Sequence, residues 1–190
     1  EFDHLQGRLR DLGMDVDVHR VPDDAVAAAG VDPAFPRLNV IGRWEAGAPH
    51  TVHFNAHYDV VPVAAADWHA ADPFSGEEHS GWLYGRGAGD MKGSIVALLG
   101  ALGALRATGA TPAVNIEVSF TADEETGGSL GAGWVVREGL VRADFAIACE
   151  GASGSRVGLG HNGVLWIEVE VEGKAAHGSS PDRGVNAFEK

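Results

Sequence analysis

Six acidic or imidazole residues follow four apolar segments, at the points where each predicted strand gives way to a loop. They are His57, Asp59, Asp90, Glu124, Glu125 and Glu150. Ligands of open α/β sheets bind beyond the carboxyl ends of the strands, so the strands would bring these side chains to one edge. The only basic residues beside them are Arg86 and Lys92. Carboxylates gathered in this way repel each other unless cations neutralise them. Their placement therefore predicts a metal site.

The charges suggest two divalent ions, because three ligating carboxylates and one hydroxide balance two such cations. Imidazole together with carboxylates suits zinc first, with cobalt or manganese as substitutes.

His57 and Asp59 stand two residues apart in "NAHYDVVP" and face the same side of an extended strand. If one ring nitrogen of His57 binds a metal, Asp59 is placed to accept a hydrogen bond from the other. Taken alone, the two residues are better explained as a polar pair at a strand end, because short motifs often match by chance.

The other candidates also have structural readings. Asp90 in "GDMKG" could be the N-cap of the following helix. Glu124 and Glu125 in "DEETGG" could converge in a turn, one as a ligand and one as a proton acceptor, or could form an acidic surface turn. Glu150, after "DFAIAC", could simply be solvated at a sheet edge.

Apolar periodicity predicts the elements that would position these residues. Predicted strands lie at 14–18, near 38–44, near 51–57, in "WLYGRG", in "AVNIEVSF" and in "DFAIAC"; predicted helices lie at 2–12, 92–107 and 129–138. Residues 21–37 read as a proline-punctuated loop, and the nearly uncharged helix 92–107 should be largely buried. Strands separated by helices predict an α/β fold with a mostly parallel sheet flanked by helices.

The pattern changes after Gly163. Leu165, Ile167, Val169 and Val171 alternate with polar or aromatic neighbours, which predicts a strand with one wet face. We therefore predict a catalytic α/β domain over 1–163 and the beginning of a second, α+β domain over 164–190. The chain starts at Glu1 and stops within "GVNAFEK", and we expect it to be part of a longer protein.

The net charge of −13 argues against nucleic acid or an anionic membrane surface as a partner. A single cysteine, Cys149, excludes an internal disulfide and a multi-thiolate zinc site, and it fits packed core better than a nucleophile. No apolar run approaches the ~18 residues of a membrane span, and no signal peptide is visible. A reducing, cytoplasmic location is the expectation.

Six blocks of the sequence occur in the order and spacing of a known enzyme family. They are "NAHYDVVP", Trp68 with "DPF", "LYGRGAGDMKG", "TADEETGG", "CEG" and "GKAAHGS". The chain resembles, from about Asn39 to Asn186, the dinuclear-zinc hydrolases that include acetylornithine deacetylase, succinyl-diaminopimelate desuccinylase, aminoacylase and bacterial glutamate carboxypeptidase. This resemblance implies a zinc-exopeptidase-like catalytic domain followed by a lid or dimerisation domain.

The resemblance also implies a role for each matching residue. His57 and Glu150 would hold one zinc, Asp90 would bridge both metals, and Glu125 would bind the second. Glu124 would be the general base and Asp59 would orient His57, while the peptide bond after Asp90 is expected to be cis. His177 would reach into the active site of the other subunit of a homodimer and stabilise the oxyanion, although on its own it reads as a turn histidine. The family's last zinc ligand, a distal histidine, and most of its substrate-binding arginines have no counterpart in these 190 residues.

The implied function is hydrolysis of the amide bond of small N-acyl amino acids or short peptides by a two-zinc-activated water. No other cofactor is implied. Two alternatives stay open: a non-catalytic binding or assembly member of the same fold, and a one-metal, inactive fragment.

Overall fold

The computed structural model describes residues 2–64, 68–69, 72–151, 157–160, 163, 165 and 167–189. The chain divides into two compact units, Glu1–Arg156 and Val157–Lys190. This division falls a few residues before the predicted boundary at 163, and the assignment of the two units as catalytic and lid domains stays a prediction.

The first unit is built on a five-stranded sheet. Its elements are α1 (Phe2–Asp11), β1 (Asp15–Arg20), α2 (Asp23–Ala28), β2 (Leu38–Trp44), β3 (Thr51–His57), β4 (Glu78–His79), β5 (Trp82–Leu83), α3 (Gly93–Ala107), β6 (Asn115–Thr121), α4 (Ala132–Arg137) and β7 (Phe145–Ala148). The strand order is β1-β2-β6-β3-β7, with β4 and β5 forming a separate hairpin. Strands β6, β3 and β7 are parallel, whereas β1 and β2 join antiparallel, with β1 at the edge. The predicted α/β sheet flanked by helices is confirmed.

One face of the sheet packs against α1 and α3 and forms the main core. Its buried residues come from both helices, from three strands and from two turns, which carry Met14 and Met91: Leu5, Leu9, Met14, Val40, Trp44, Ala56, Met91, Ile95, Leu99, Leu102, Ile116, Val118 and Phe120. The partly buried Cys149 packs against this cluster, and burial raises the pKa of its thiol. A thiol held protonated in this way fits its predicted role as packed core.

The prediction that α3 is largely buried is wrong. Only Ile95, Leu99 and Leu102 of this helix are buried, and Val96 is 69% exposed. The helix lies on a single face of the sheet, so its apolar composition does not translate into burial all round. By length and composition alone, the stretch Ala88–Ala107 could also cross a membrane. That contradicts the sequence-based expectation about apolar runs, although core helices pass the same test.

The opposite face of the sheet carries a buried polar network between β3 and β6. His53 Nδ1 lies 2.8 Å from Glu117 Oε1, and its Nε2 lies 2.9 Å from Ser119 Oγ. Arg43 Nε donates to Glu117 Oε2 at 2.8 Å, and Asn55 Nδ2 donates to Ser119 Oγ at 2.8 Å. These groups satisfy one another, which makes their burial tolerable.

Two local predictions need correction. The loop predicted over 21–37 contains α2, whose Val26 packs with Val21 and Leu130 in a small second cluster. The strand predicted over 165–172 is wrong for the residues described there, which have no strand and leave Ile167 and Val169 exposed. In its described residues, the second unit is held instead by a bridge between Lys174 and Val185 and by short turns.

The buried carboxylate of Glu117 makes the stability of this fold sensitive to acid. Burial alone would raise the pKa of Glu117, but hydrogen bonds from His53, from the Arg142 backbone and from Arg43 lower it below its ordinary value of 4.5. The ionised form therefore contributes stability above pH 4.5, and this contribution is lost as the pH falls through the lowered pKa.

We expect Glu117→Gln to lower the free energy of unfolding at neutral pH by about 1–3 kcal/mol, because Arg43 and His53 lose a buried charged partner while Arg43 keeps its ion pair with Asp17. The variant should also lose stability less steeply than the wild type below pH 4.5. Urea unfolding at pH 7 and along an acid series measures both effects, with the exposed Glu45→Gln as a matched control. An acid limb as steep in Glu117→Gln as in the wild type would contradict the assignment.

Candidate metal centre

Parallel pairing brings the ends of three strands to one edge of the sheet. His57 is the last residue of β3 and lies level with Thr121, the last residue of β6. Glu124–Thr126 form a single 3₁₀ turn just after β6, and Glu150 follows the end of β7. Asp90 lies in the irregular turn Ala88–Lys92 that leads into α3, and the Asp90–Met91 peptide bond is cis, as expected.

The predicted residues converge around the imidazole of His57, which is 1% exposed. Its Nε2 lies 2.9 Å from Asp90 Oδ1 and 3.8 Å from Glu124 Oε2. Two overlapping groups each place one ligand atom per residue within 4.8 Å of one another. The first is His57, Asp90 and Glu150; the second is His57, Glu124 and Glu125.

The pairing within these groups differs from the partition that the resemblance implies. His57, Asp90 and Glu150 stand together, as in the predicted first metal set. Glu125 converges with His57 and Glu124 rather than with Asp90. The assignment of individual ligands to two metals stays a prediction.

Asp59 is linked to both the imidazole and the turn of glutamates. The nearest partner of His57 Nδ1 is the backbone carbonyl of Asp59 at 3.0 Å, and the carboxylate lies farther away at 3.4 Å. Both carboxylate oxygens instead accept backbone N–H groups, from Glu124 and from Glu125, each at 3.2 Å. Asp59 therefore ties the position of His57 to that of the turn.

The surroundings of Glu124 and His57 raise the pKa values of both side chains. Burial raises the pKa of Glu124, as do the nearby charges of Glu150, Glu125 and Asp59, and the opposing effect of His57 does not cancel them. Burial by itself lowers the pKa of His57, but the hydrogen bond to Asp90 and the charges of Asp59 and Glu124 outweigh it, so this pKa is raised. Both shifts show that the centre favours added positive charge.

The donor set fits a divalent cation. One buried imidazole faces carboxylates that reach solvent, with side-chain exposures of 65% for Asp90 and 43% for Glu124. An imidazole nitrogen with carboxylate oxygens is a common ligand combination for zinc and its substitutes. A cation among these oxygens would relieve the repulsion that raises the pKa of Glu124.

His177 lies in the second unit, Val157–Lys190. There its Nδ1 lies 2.9 Å from Ser179 Oγ and accepts the Ser179 N–H at 3.2 Å. This local contact matches the turn-histidine reading, and a catalytic role for His177 stays a prediction.

The sequence-based prediction did not identify Asp123 and Asn39, two buried residues that support the loop carrying Glu124 and Glu125. Asp123 adopts a left-handed conformation, with φ of 70°, immediately before the two glutamates. Asn39, fully buried on β2, accepts the Ala122 N–H at 3.1 Å and donates to the Leu130 carbonyl at 3.0 Å. The preference of aspartate for left-handed turns is a signal that could have identified Asp123; nothing local in the sequence distinguishes Asn39.

Arg86 joins two segments that precede it in the chain. It lies over the ring of Trp68, 5.4 Å from the ring centroid, and its backbone N–H donates to the Pro73 carbonyl. A cavity of about 300 Å³ lies beside the turn of glutamates, lined partly by Arg37, Tyr58 and Glu125.

Comparison with known proteins gives a consistent set of relatives. Succinyl-diaminopimelate desuccinylase of Paracoccus denitrificans is 34% identical over 157 residues, covering 78% of this chain and 41% of the relative. Acetylornithine deacetylase of Klebsiella pneumoniae is 34% identical over 185 residues, covering 97% of this chain and 44% of the relative. The chain therefore spans less than half the length of these curated relatives.

A solved structure agrees with this similarity. The M20 family metallo-carboxypeptidase Sso-CP2 from Sulfolobus solfataricus matches with a TM-score of 0.62 and 26% identity, over 79% of this chain and 31% of that chain. Residues 53–187, which include every predicted site residue, match the sequence pattern described as Peptidase family M20/M25/M40. The chain belongs to this peptidase family.

Proposed function

We propose that the protein is a zinc-dependent amidohydrolase that acts on small N-acyl amino acids or short peptides with a free carboxylate. The observation that carries the proposal is the convergence of His57 with Asp90, Glu124, Glu125 and Glu150 at the carboxyl edge of the sheet. The names of the relatives support an amide substrate, since they describe a desuccinylase, a deacetylase and a carboxypeptidase.

His57, Asp90, Glu125 and Glu150 would hold the metal, and the two overlapping groups support a pair of ions that share this edge. When bound, zinc lowers the pKa of water to about 7 and polarises a carbonyl group. Cobalt or manganese would substitute for it, since both accept the same donors.

Glu124 is proposed as the general base and Glu125, its neighbour, as a ligand. The raised pKa of Glu124 suits a carboxylate that accepts a proton from the attacking water at Oε2 and passes it to the leaving nitrogen. Asp59 holds the backbone of both residues, so the base and the ligand keep a fixed distance from each other. The homodimer, the oxyanion role of His177 and the cytoplasmic location remain predictions.

Replacement of the base should separate catalysis from metal binding. We expect Glu124→Gln in the whole protein to lower kcat on N-acetyl amino acids by about 10²–10⁴-fold, because amide nitrogen and oxygen cannot take up the proton. Metal analysis should find the zinc content of the variant unchanged. The matched control is Glu138→Gln, an exposed glutamate at the end of α4, which should keep the wild-type rate.

Hydrolysis at the wild-type rate by Glu124→Gln would remove the proposed mechanism. A wild-type protein that binds zinc but hydrolyses no member of a panel of N-acyl amino acids and dipeptides would favour the non-catalytic alternative.

Metal binding can be tested without activity. Zinc should raise the melting temperature of the metal-free wild type, because a ligand that binds only the folded state stabilises it. We expect His57→Ala to abolish most of this rise, since His57 belongs to both donor groups. His50→Ala, which alters an exposed histidine paired with Asp144, is the matched control. An equal zinc-dependent rise in His57→Ala and wild type would exclude His57 as a ligand.

A further inference from the structure

Asp123 is a buried carboxylate to which the proposed mechanism gives no task. It is 3% exposed and directly precedes Glu124 and Glu125. Of the described residues other than glycine, only Asp123 and Ser80 have a positive φ. A buried charge in a left-handed conformation is uncommon, and its surroundings must hold it there.

The side chain of Asp123 is fully engaged. Its Oδ1 accepts from Thr126 Oγ1 at 2.8 Å and from Arg37 Nε at 3.2 Å, and its Oδ2 accepts the Leu130 N–H at 3.0 Å. The Asp123 carbonyl accepts the Gly128 N–H at 2.7 Å. Asp123 thus forms hydrogen bonds with the middle of the loop that carries both glutamates, at Thr126 and Gly128, and with the end of that loop, at Leu130.

The loop over residues 122–131 is closed at its base as well. Asn39 bonds to Ala122 and to Leu130, one residue from each end of the loop. A Cβ on Gly131 would overlap the Ala122 carbonyl oxygen, so the two ends touch. Within this closed loop, the side chain of Asp123 joins the base of the loop, at Leu130, to the turn of glutamates, at Thr126.

We propose that Asp123, through its hydrogen bonds to Thr126 and Leu130, is a positioning residue for both glutamates of the metal centre. The left-handed conformation turns the chain sharply between β6 and Glu124, and the bonds to Thr126 and Leu130 hold that turn. Hydrogen bonds to Asp123 and to Asp59 therefore set the directions in which the side chains of Glu124 and Glu125 leave the backbone. The kinetic part of this inference rests on the proposed function; the metal-binding part does not.

Asp123→Ala tests the inference because alanine loses every side-chain bond and disfavours the left-handed conformation. In the metal-free protein, hydrogen–deuterium exchange should accelerate in peptides covering residues 122–131 and stay unchanged in β2 and β3. Zinc affinity should fall by about 10–100-fold, the range seen when partners that orient metal ligands are removed. In the whole protein kcat should fall by a similar factor, with KM changed less than threefold.

Asp123→Asn is the conservative comparison. Asparagine tolerates the left-handed conformation and can still accept from Leu130 and bond to Thr126, but it loses the charge opposite Arg37. We expect it to recover most of the exchange protection, zinc affinity and kcat lost in Asp123→Ala.

Glu117→Gln is the matched control for a purely structural effect. It also removes a buried carboxylate paired with an arginine, but on β6, away from the loop. It should lower the melting temperature while leaving exchange at 122–131 and zinc affinity at the wild-type level. If Asp123→Ala yields no folded protein, Thr126→Val replaces it, with an expected loss of zinc affinity of about 2–10-fold for one hydrogen bond.

The inference is overturned if Asp123→Ala, or Thr126→Val in its place, is destabilised like Glu117→Gln but keeps wild-type zinc affinity and loop exchange. It is also overturned if Asp123→Asn is as defective as Asp123→Ala. A wild type that binds zinc but shows no amide hydrolysis would refute the proposed function alone, because the exchange and affinity measurements still decide the role of Asp123.

Discussion

Electrostatic repulsion among carboxylates is the constraint on which the first unit depends. Four carboxylates, those of Asp90, Glu124, Glu125 and Glu150, lie around the imidazole of His57, and burial together with the charges of neighbouring carboxylates raises the pKa of Glu124. The surrounding chain supplies backbone N–H groups to Asp59 and a guanidinium to Asp123. Both carboxylates are therefore satisfied locally, while those of the candidate ligands remain available to a cation.

The sheet and the turns at its edge are stabilised by different kinds of contact. The sheet forms a buried apolar core with α1 and α3 on one face, while most of the candidate ligands stand on short turns at its edge. Such turns would ordinarily be the mobile part of a domain. Here buried polar side chains on neighbouring strands, such as Asn39, hold the turn that bears the glutamates. Hydrogen bonds, rather than apolar packing, thus fix the position of the glutamate turn at the edge of the sheet.

Much of this could be predicted from sequence, and the failures have physical causes. The strands β2, β3 and β6 are short apolar runs bounded by turn residues, and the sequence-based bounds agree closely with the structure. Helix α2 was missed because six residues in a proline-rich stretch give too short a pattern. The alternation at 165–172 predicted a strand that the described residues do not form, because alternation reports a tendency to pair and not the presence of a partner. The gathering of the candidate ligands followed from their placement at the ends of predicted strands, whereas Asp123 and Asn39 depend on contacts between residues far apart in the chain.

The polar network between β3 and β6 determines which residues of the two strands lie opposite each other. His53 opposes Glu117 and Asn55 opposes Ser119, so the two strands are matched by specific donors and acceptors. A slip of one residue would turn these groups toward the apolar layer and leave each of them without a hydrogen-bond partner. Such a register is heavily disfavoured. His57 stands on the same ladder, level with Thr121. The alignment of the imidazole with the glutamate turn is therefore specified by several such pairs together, so that the loss of any single pair leaves the register in place.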